Sequence, residues 1–146
     1  MAQRMLKNIT HSSIFEIESA LVGFKDNIIH EQWTYSLDKR VKWFILNLAL
    51  YRTDALDGRK IVVTDVLGLD NPRVYHKDGL AVDTRTHDMD REVRLKLRIK
   101  AFDTRDALRI LSRPEGWRFG FDPHDDYENH VPAWGGEHFH TFVKEV

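Results

Sequence analysis

Residues 90–102, DREVRLKLRIKAF, decide the fold class because they satisfy two incompatible patterns. Val93, Leu95, Leu97, Ile99 and Ala101 alternate with charged residues, as in a strand that buries one face. Arg, Lys, Leu and Glu are also good helix formers, and Asp90 stands where a helix N-cap would. Local pattern alone leaves both readings open.

The flanking segments are less ambiguous. SLDKRVKWFILNLALYRTDAL carries Leu37, Val41, Phe44, Ile45, Leu48 and Tyr51 at three-four spacing, which predicts a helix ending near Gly58. KIVVTDVLG follows as a buried strand rich in β-branched residues and bounded by Gly68. LDNPRVYHKDG is rich in turn residues, and LAVDTR reads as a short strand after Gly79. TRDALRIL predicts a helix ending before Pro114. Residues 116–136 read as an aromatic, Asp- and Pro-punctuated loop region leading into a closing strand, HFHTFV. Near the N-terminus, Ser13 and Glu16 have capping-box spacing, and Ile14, Ile17, Leu21 and Phe24 recur at helical intervals. Residues 1–32 are accordingly expected to be an N-terminal helical extension.

The chain has 146 residues, enough for one domain with a sizeable core and too few for two ordinary ones. Hydrophobic residues make up 42% and charged residues 31%, the balance of a globular rather than a disordered chain. With 22 basic and 23 acidic side chains the formal net charge is -1, so global charge offers no case for nucleic acid or an anionic membrane. No apolar stretch approaches membrane-spanning length, and the N-terminal residues lack the apolar run of a secretory signal. Synthesis in a cytoplasm, without a signal peptide, is the expectation. Cysteine is absent, which excludes disulfides, thiolate metal sites and a cysteine nucleophile. Any metal must therefore be held by His, Asp or Glu.

Histidine is the compositional oddity: of 8, His76, His87, His124, His130, His138 and His140 lie in the second half. In AWGGEHFHTFV (133–143), His138 and His140 flank Phe139, so a strand puts both imidazoles on one face. In YHKDGLAVDTR, the loop residue His76 and the strand residue Asp83 can converge if the chain folds back through Gly79. A catalytic zinc typically takes three protein ligands and keeps a fourth position open. His76, Asp83 and one of His138 or His140 would supply such a set, with Glu137 as a candidate general base. An ideal strand would point Glu137 away from His140, but Gly135 and Gly136 allow Glu137 to sit in the preceding loop.

On these residues the chain resembles the D-Ala-D-Ala metallopeptidase superfamily, which also contains hedgehog signalling domains and phage L-alanyl-D-glutamate endolysins. HKDGLAVD (76–83) looks like that superfamily's H-x-x-G-x-A-x-D signature, and EHFH (137–140) is similar to its closing E-x-x-H or H-x-H strand. The resemblance spans roughly residues 37–143. It implies His76, Asp83 and His140 as zinc ligands, Glu137 as the catalytic base and His138 as an additional histidine assisting the transition state. It also implies that 90–102 is a helix. The sequence departs from the family on the buried strand, where VVTDVLG (62–68) replaces S-G-Y-R and its carboxylate-gripping arginine. Val74 likewise stands where the family has a serine. Arg73, Arg85 and Arg118 are the candidate substitutes for the missing arginine, and Trp134 is the candidate cleft wall.

Other features have plainer readings. His124 and His130 lie among Asp122, Asp125, Asp126 and Glu128, a pattern expected of a solvated acidic turn. Trp117, Phe119 and Phe121 are expected in the core, and Arg94, Lys96, Arg98 and Lys100 on a solvated face.

The expected fold is α+β: a single domain over residues 1–146, whose small antiparallel sheet carries a zinc site and has helices packed on its other face. The expected function is that of a zinc metallopeptidase of phage-lysin type, cutting a D-amino-acid-containing bond in peptidoglycan stem peptides. The alternative is a non-catalytic zinc-binding module, such as a virion structural or assembly protein. No nucleic-acid or membrane partner is expected.

Overall fold

In the computed structural model the alternating stretch is helical, and burial shows why. Of the five alternating residues, Val93, Leu97 and Ala101 are buried, while Leu95 and Ile99 are 38% and 61% exposed. The period-two pattern thus contains a period-four subset, and that subset is the stripe that packs. Asp90 caps this helix, its carboxylate accepting the Val93 amide at 2.9 Å.

The structure describes residues 17–67, 76, 78–124 and 138–145. Residues 17–21 are helical and lead into β1 (Val22–Phe24). Then follow α1 (Asn27–Tyr35), α2 (Lys39–Ala55), β2 (Ile61–Asp65), β3 (Ala81–Arg85) and α3 (Arg91–Ser112). A short 3-10 turn, Arg113–Glu115, precedes β4 (Trp117–His124), and β5 (His138–Glu145) closes the sheet. The strand order is β1-β2-β3-β5-β4, antiparallel except for the parallel β1/β2 pair. The fold is therefore α+β, with a mixed rather than purely antiparallel sheet.

Four expectations are corrected. Phe24 belongs to β1 rather than to an N-terminal helix, because Val22–Phe24 pairs with Ile61–Val63. Residues 27–35, which cross the expected boundary of the extension at residue 32, form a helix of their own. Its N-cap is Asp26, whose carboxylate accepts the Ile29 amide at 2.9 Å. The stretch 117–124, expected as loop, is a strand: Phe119 and Phe121 point into the core and the backbone pairs with β5 throughout. Pro123 is tolerated there because β4 lies at the sheet edge. Finally, Arg94 is buried rather than solvated and donates to the Thr86 carbonyl at 3.2 Å, tying α3 to the end of β3.

One face of the sheet carries the core. On β5, Phe139, Thr141 and Val143 are buried, and on β3 Val82 and Thr84. Against them pack Phe44 and Leu48 of α2 and Val93 and Leu97 of α3, with the Phe44 ring 5.0 Å from that of Phe119. Arg52, fully buried at the end of α2, donates to both carboxylate oxygens of Asp57 at 3.0 and 3.1 Å and to the Lys60 carbonyl at 3.0 Å. A charge buried this deeply is tolerable only when so fully paired. The alternate residues, His138, His140 and Phe142 on β5 with Asp83 and Arg85 on β3, occupy the opposite face.

Candidate metal centre

Strand register builds half of the site. Asp83 is the direct cross-strand partner of His140, so the two side chains stand side by side on the same face. His140 Nδ1 lies 2.8 Å from Asp83 Oδ1. The other half arrives from the turn before β3. The Gly79 amide donates to the His76 carbonyl at 3.0 Å, closing the turn that precedes the strand. Gly79 has φ +69°, and a Cβ there would collide with the Ser36 carbonyl at the α1–α2 junction. Its own carbonyl accepts the Asp38 amide at 2.8 Å. The glycine thus lets this turn dock tightly against two helices, and His76 is held over the sheet face.

His76 is 2% exposed and oriented at both ring nitrogens. Nδ1 lies 2.7 Å from the Val66 carbonyl, which can only accept, so that nitrogen carries the proton. Nε2 is therefore turned inward, 3.3 Å from Asp83 Oδ1 and 3.2 Å from His140 Nδ1. A backbone carbonyl that fixes the tautomer and ring orientation is the usual outer partner of a metal-binding histidine.

His76, Asp83 and His140 form a group that can hold a metal ion, with ligand atoms all within 4.8 Å of one another. Tetrahedral coordination at ordinary zinc bond lengths would set donor atoms about 3.3 Å apart. Two of the three separations match that figure, and the shorter His140–Asp83 contact is a hydrogen bond. Three electron-pair donors facing one another need a proton or a cation between them, so the donor set fits a metal.

The electrostatics are consistent with this. Burial disfavours an imidazolium at His76, but hydrogen bonding to Asp83 and its charge outweigh burial and raise the imidazole above its ordinary value. Burial alone would push Asp83 up. The hydrogen bonds from His140 and His76, with the positive charge of His76 and His138, instead hold it far below the usual carboxylate range.

The other site expectations divide clearly. His138 pairs with Arg85 across the ladder, and its Nε2 stands 3.8 Å from Asp83 Oδ2, beside the ligand group rather than in it. Arg85 shares the metal face two residues beyond Asp83, and its Nε is buried without a hydrogen-bond partner among the described residues. Arg118 lies opposite Lys144, about 14 Å along the strand from the His140 position. Glu137, Arg73, Trp134 and His130 lie outside the described residues. His124 ends β4 in register with His138, and His87 is exposed in the turn after β3.

Three parts of the site escaped sequence reading: the Val66 carbonyl behind His76, the Thr64 hydroxyl donating to the Asp83 carbonyl at 3.3 Å, and the ring of Phe142 beside His140. The outer edge of that ring covers Gly120 of β4, where a Cβ would clash with it. Only this last pairing left a trace in sequence, a glycine inside an otherwise aromatic strand. No family model, no curated protein and no solved structure matches the chain. No helix among the described residues is long and apolar enough to cross a membrane.

Proposed function

We propose that the protein is a zinc metallopeptidase acting on the peptide stems of cell-wall peptidoglycan. The observation that carries this reading is the convergence of His76 Nε2, Asp83 Oδ1 and His140 Nδ1 on one face of the sheet. Two neutral imidazoles and one carboxylate are a donor set suited to a hydrolytic zinc, which keeps its fourth position for water. When bound, the ion supplies Lewis-acid polarisation of the scissile carbonyl and acidification of a water.

The chain's own residues take the remaining roles. Glu137, one residue before β5, carries the proton from the attacking water to the leaving amine. His138, beside Asp83, steadies charge that develops on the carbonyl oxygen. Arg85, whose buried Nε has no hydrogen-bond partner among the described residues, offers a fork on the same face for a substrate carboxylate in place of the arginine missing from the buried strand.

A second reading is a zinc-binding module without catalysis, favoured by VVTDVLG standing where the resembled family carries its substrate arginine. Digestion of purified peptidoglycan, with and without a chelator, separates the two. The peptidase reading predicts chelator-sensitive release of free amino groups. Stoichiometric zinc with an untouched wall would leave only the module. Iron in place of zinc would overturn both, since two histidines and one carboxylate also suit iron(II) oxygen chemistry.

A further inference from the structure

The β2–β3 ladder contains an irregularity that bears on the metal face. Val63 pairs with Thr84, but Asp65, not Thr64, pairs with Asp83. One extra residue on β2 therefore stands against Asp83, which is a β-bulge. Burial follows the slip. Val63 and Val66 are fully buried, whereas Thr64 and Asp65 are both half-exposed, so the alternation is broken between them. Without the bulge, Asp65 would share the core face of Val63 and Val66 would turn outward. With it, Asp65 comes to the face of Asp83, and the Val66 carbonyl reaches His76 Nδ1.

Two aspartates as direct cross-strand neighbours repel each other, a pairing that a sheet ordinarily avoids. The arrangement becomes favourable with a divalent cation beside it. Two neutral imidazoles and the Asp83 carboxylate would leave such an ion with one uncompensated positive charge on a half-buried face, and that is costly. A second carboxylate brings the assembly to neutrality. Asp65 is not in the group whose ligand atoms lie within 4.8 Å of one another, so it acts from outside the ligand set.

We propose that Asp65, brought round by the bulge, is a positioning residue of the metal centre: an outer carboxylate whose charge holds a divalent ion among His76, Asp83 and His140. The inference rests on the metal reading of those three residues. It is tested with the full chain by zinc competition against a chromophoric chelator, comparing wild type, Asp65→Asn, Asp65→Glu and His140→Ala. Asp65→Asn is expected to weaken zinc about 10- to 100-fold, the usual cost of an outer partner. Asp65→Glu, which keeps the charge, recovers most of that loss, an outcome that a purely structural role would not produce. Melting curves of the chelated proteins report folding, and Asp65→Ser carries the same expectation should the Asn variant not fold. Wild-type affinity in Asp65→Asn, or equal weakness in Asp65→Glu, overturns the proposal while loss of zinc in His140→Ala leaves the metal reading standing. Absence of zinc binding by the wild-type chain overturns both.

Discussion

The two faces of β5 are written by the same eight residues and follow different rules. Phe139, Thr141 and Val143 face the helices, where each contact is shared with many neighbours and only volume and apolarity matter. His138 and His140 face away, where His140 depends on single partners: one aspartate in register on β3 and one histidine from a docked turn. The core face is redundant and cooperative, whereas the metal face is sparse and specific. Substitutions on the first should therefore unfold the protein, and substitutions on the second should empty the site while sparing the fold.

The largest effect belongs to the core. Phe139→Ala should cost about 3–5 kcal/mol of unfolding free energy, measured by denaturant melts, because it opens a cavity between Phe121 and the helices. A loss below about 1 kcal/mol would mean that the two faces do not differ in this way.

Gly79→Ala comes next, at about 1–3 kcal/mol, since it forces a Cβ into a left-handed position against the Ser36 carbonyl. It links the two faces: the turn that carries His76 should loosen, so metal affinity should fall along with stability.

The pH response should then separate the apo from the metal-loaded chain. His76 has a raised pKa when folded, so its contribution to apo stability is complete below about pH 6.5 and is lost as pH rises through the folded value. Asp83 is lowered, so its contribution is present above about pH 3.9 and is lost only as pH falls toward its depressed value. A metal competes with the proton on His76, so its affinity runs the other way. Chelated protein should lose melting temperature between about pH 6 and about pH 8, while the increment added by zinc grows over the same range. Parallel pH profiles with and without zinc would contradict this.

The smallest effect tests the helix that local pattern left undecided. Ile99→Gln should change stability by no more than about 0.5 kcal/mol, because that side chain is 61% exposed. A cost of core size would show that Ile99 is buried, as a strand reading would require.

What sequence could show follows from the range over which each feature is encoded. Caps and helical stripes are local, so the helix over residues 39–55 was legible, and Asp26 could have revealed α1 had it been read as Asp90 was. That His76, Asp83 and His140 come together was legible through motif spacing, which stands in for a contact between distant segments. The strand over 117–124 was obscured because Pro123 and Asp122 look like loop punctuation unless the edge position is known. The bulge at Asp65 had no local signature, since it arises from how β2 meets β3. The orientation of His76 depends on a backbone carbonyl, which no side-chain pattern records.

Zinc titration of wild type and His76→Ala, followed calorimetrically with melting of both chelated proteins, tests the central claim most directly. The account predicts one ion per wild-type chain, and for the variant an affinity loss exceeding about 100-fold in a protein that remains folded. Wild-type chain that takes up no divalent ion, or a folded His76→Ala variant that binds zinc as tightly as wild type, would contradict it.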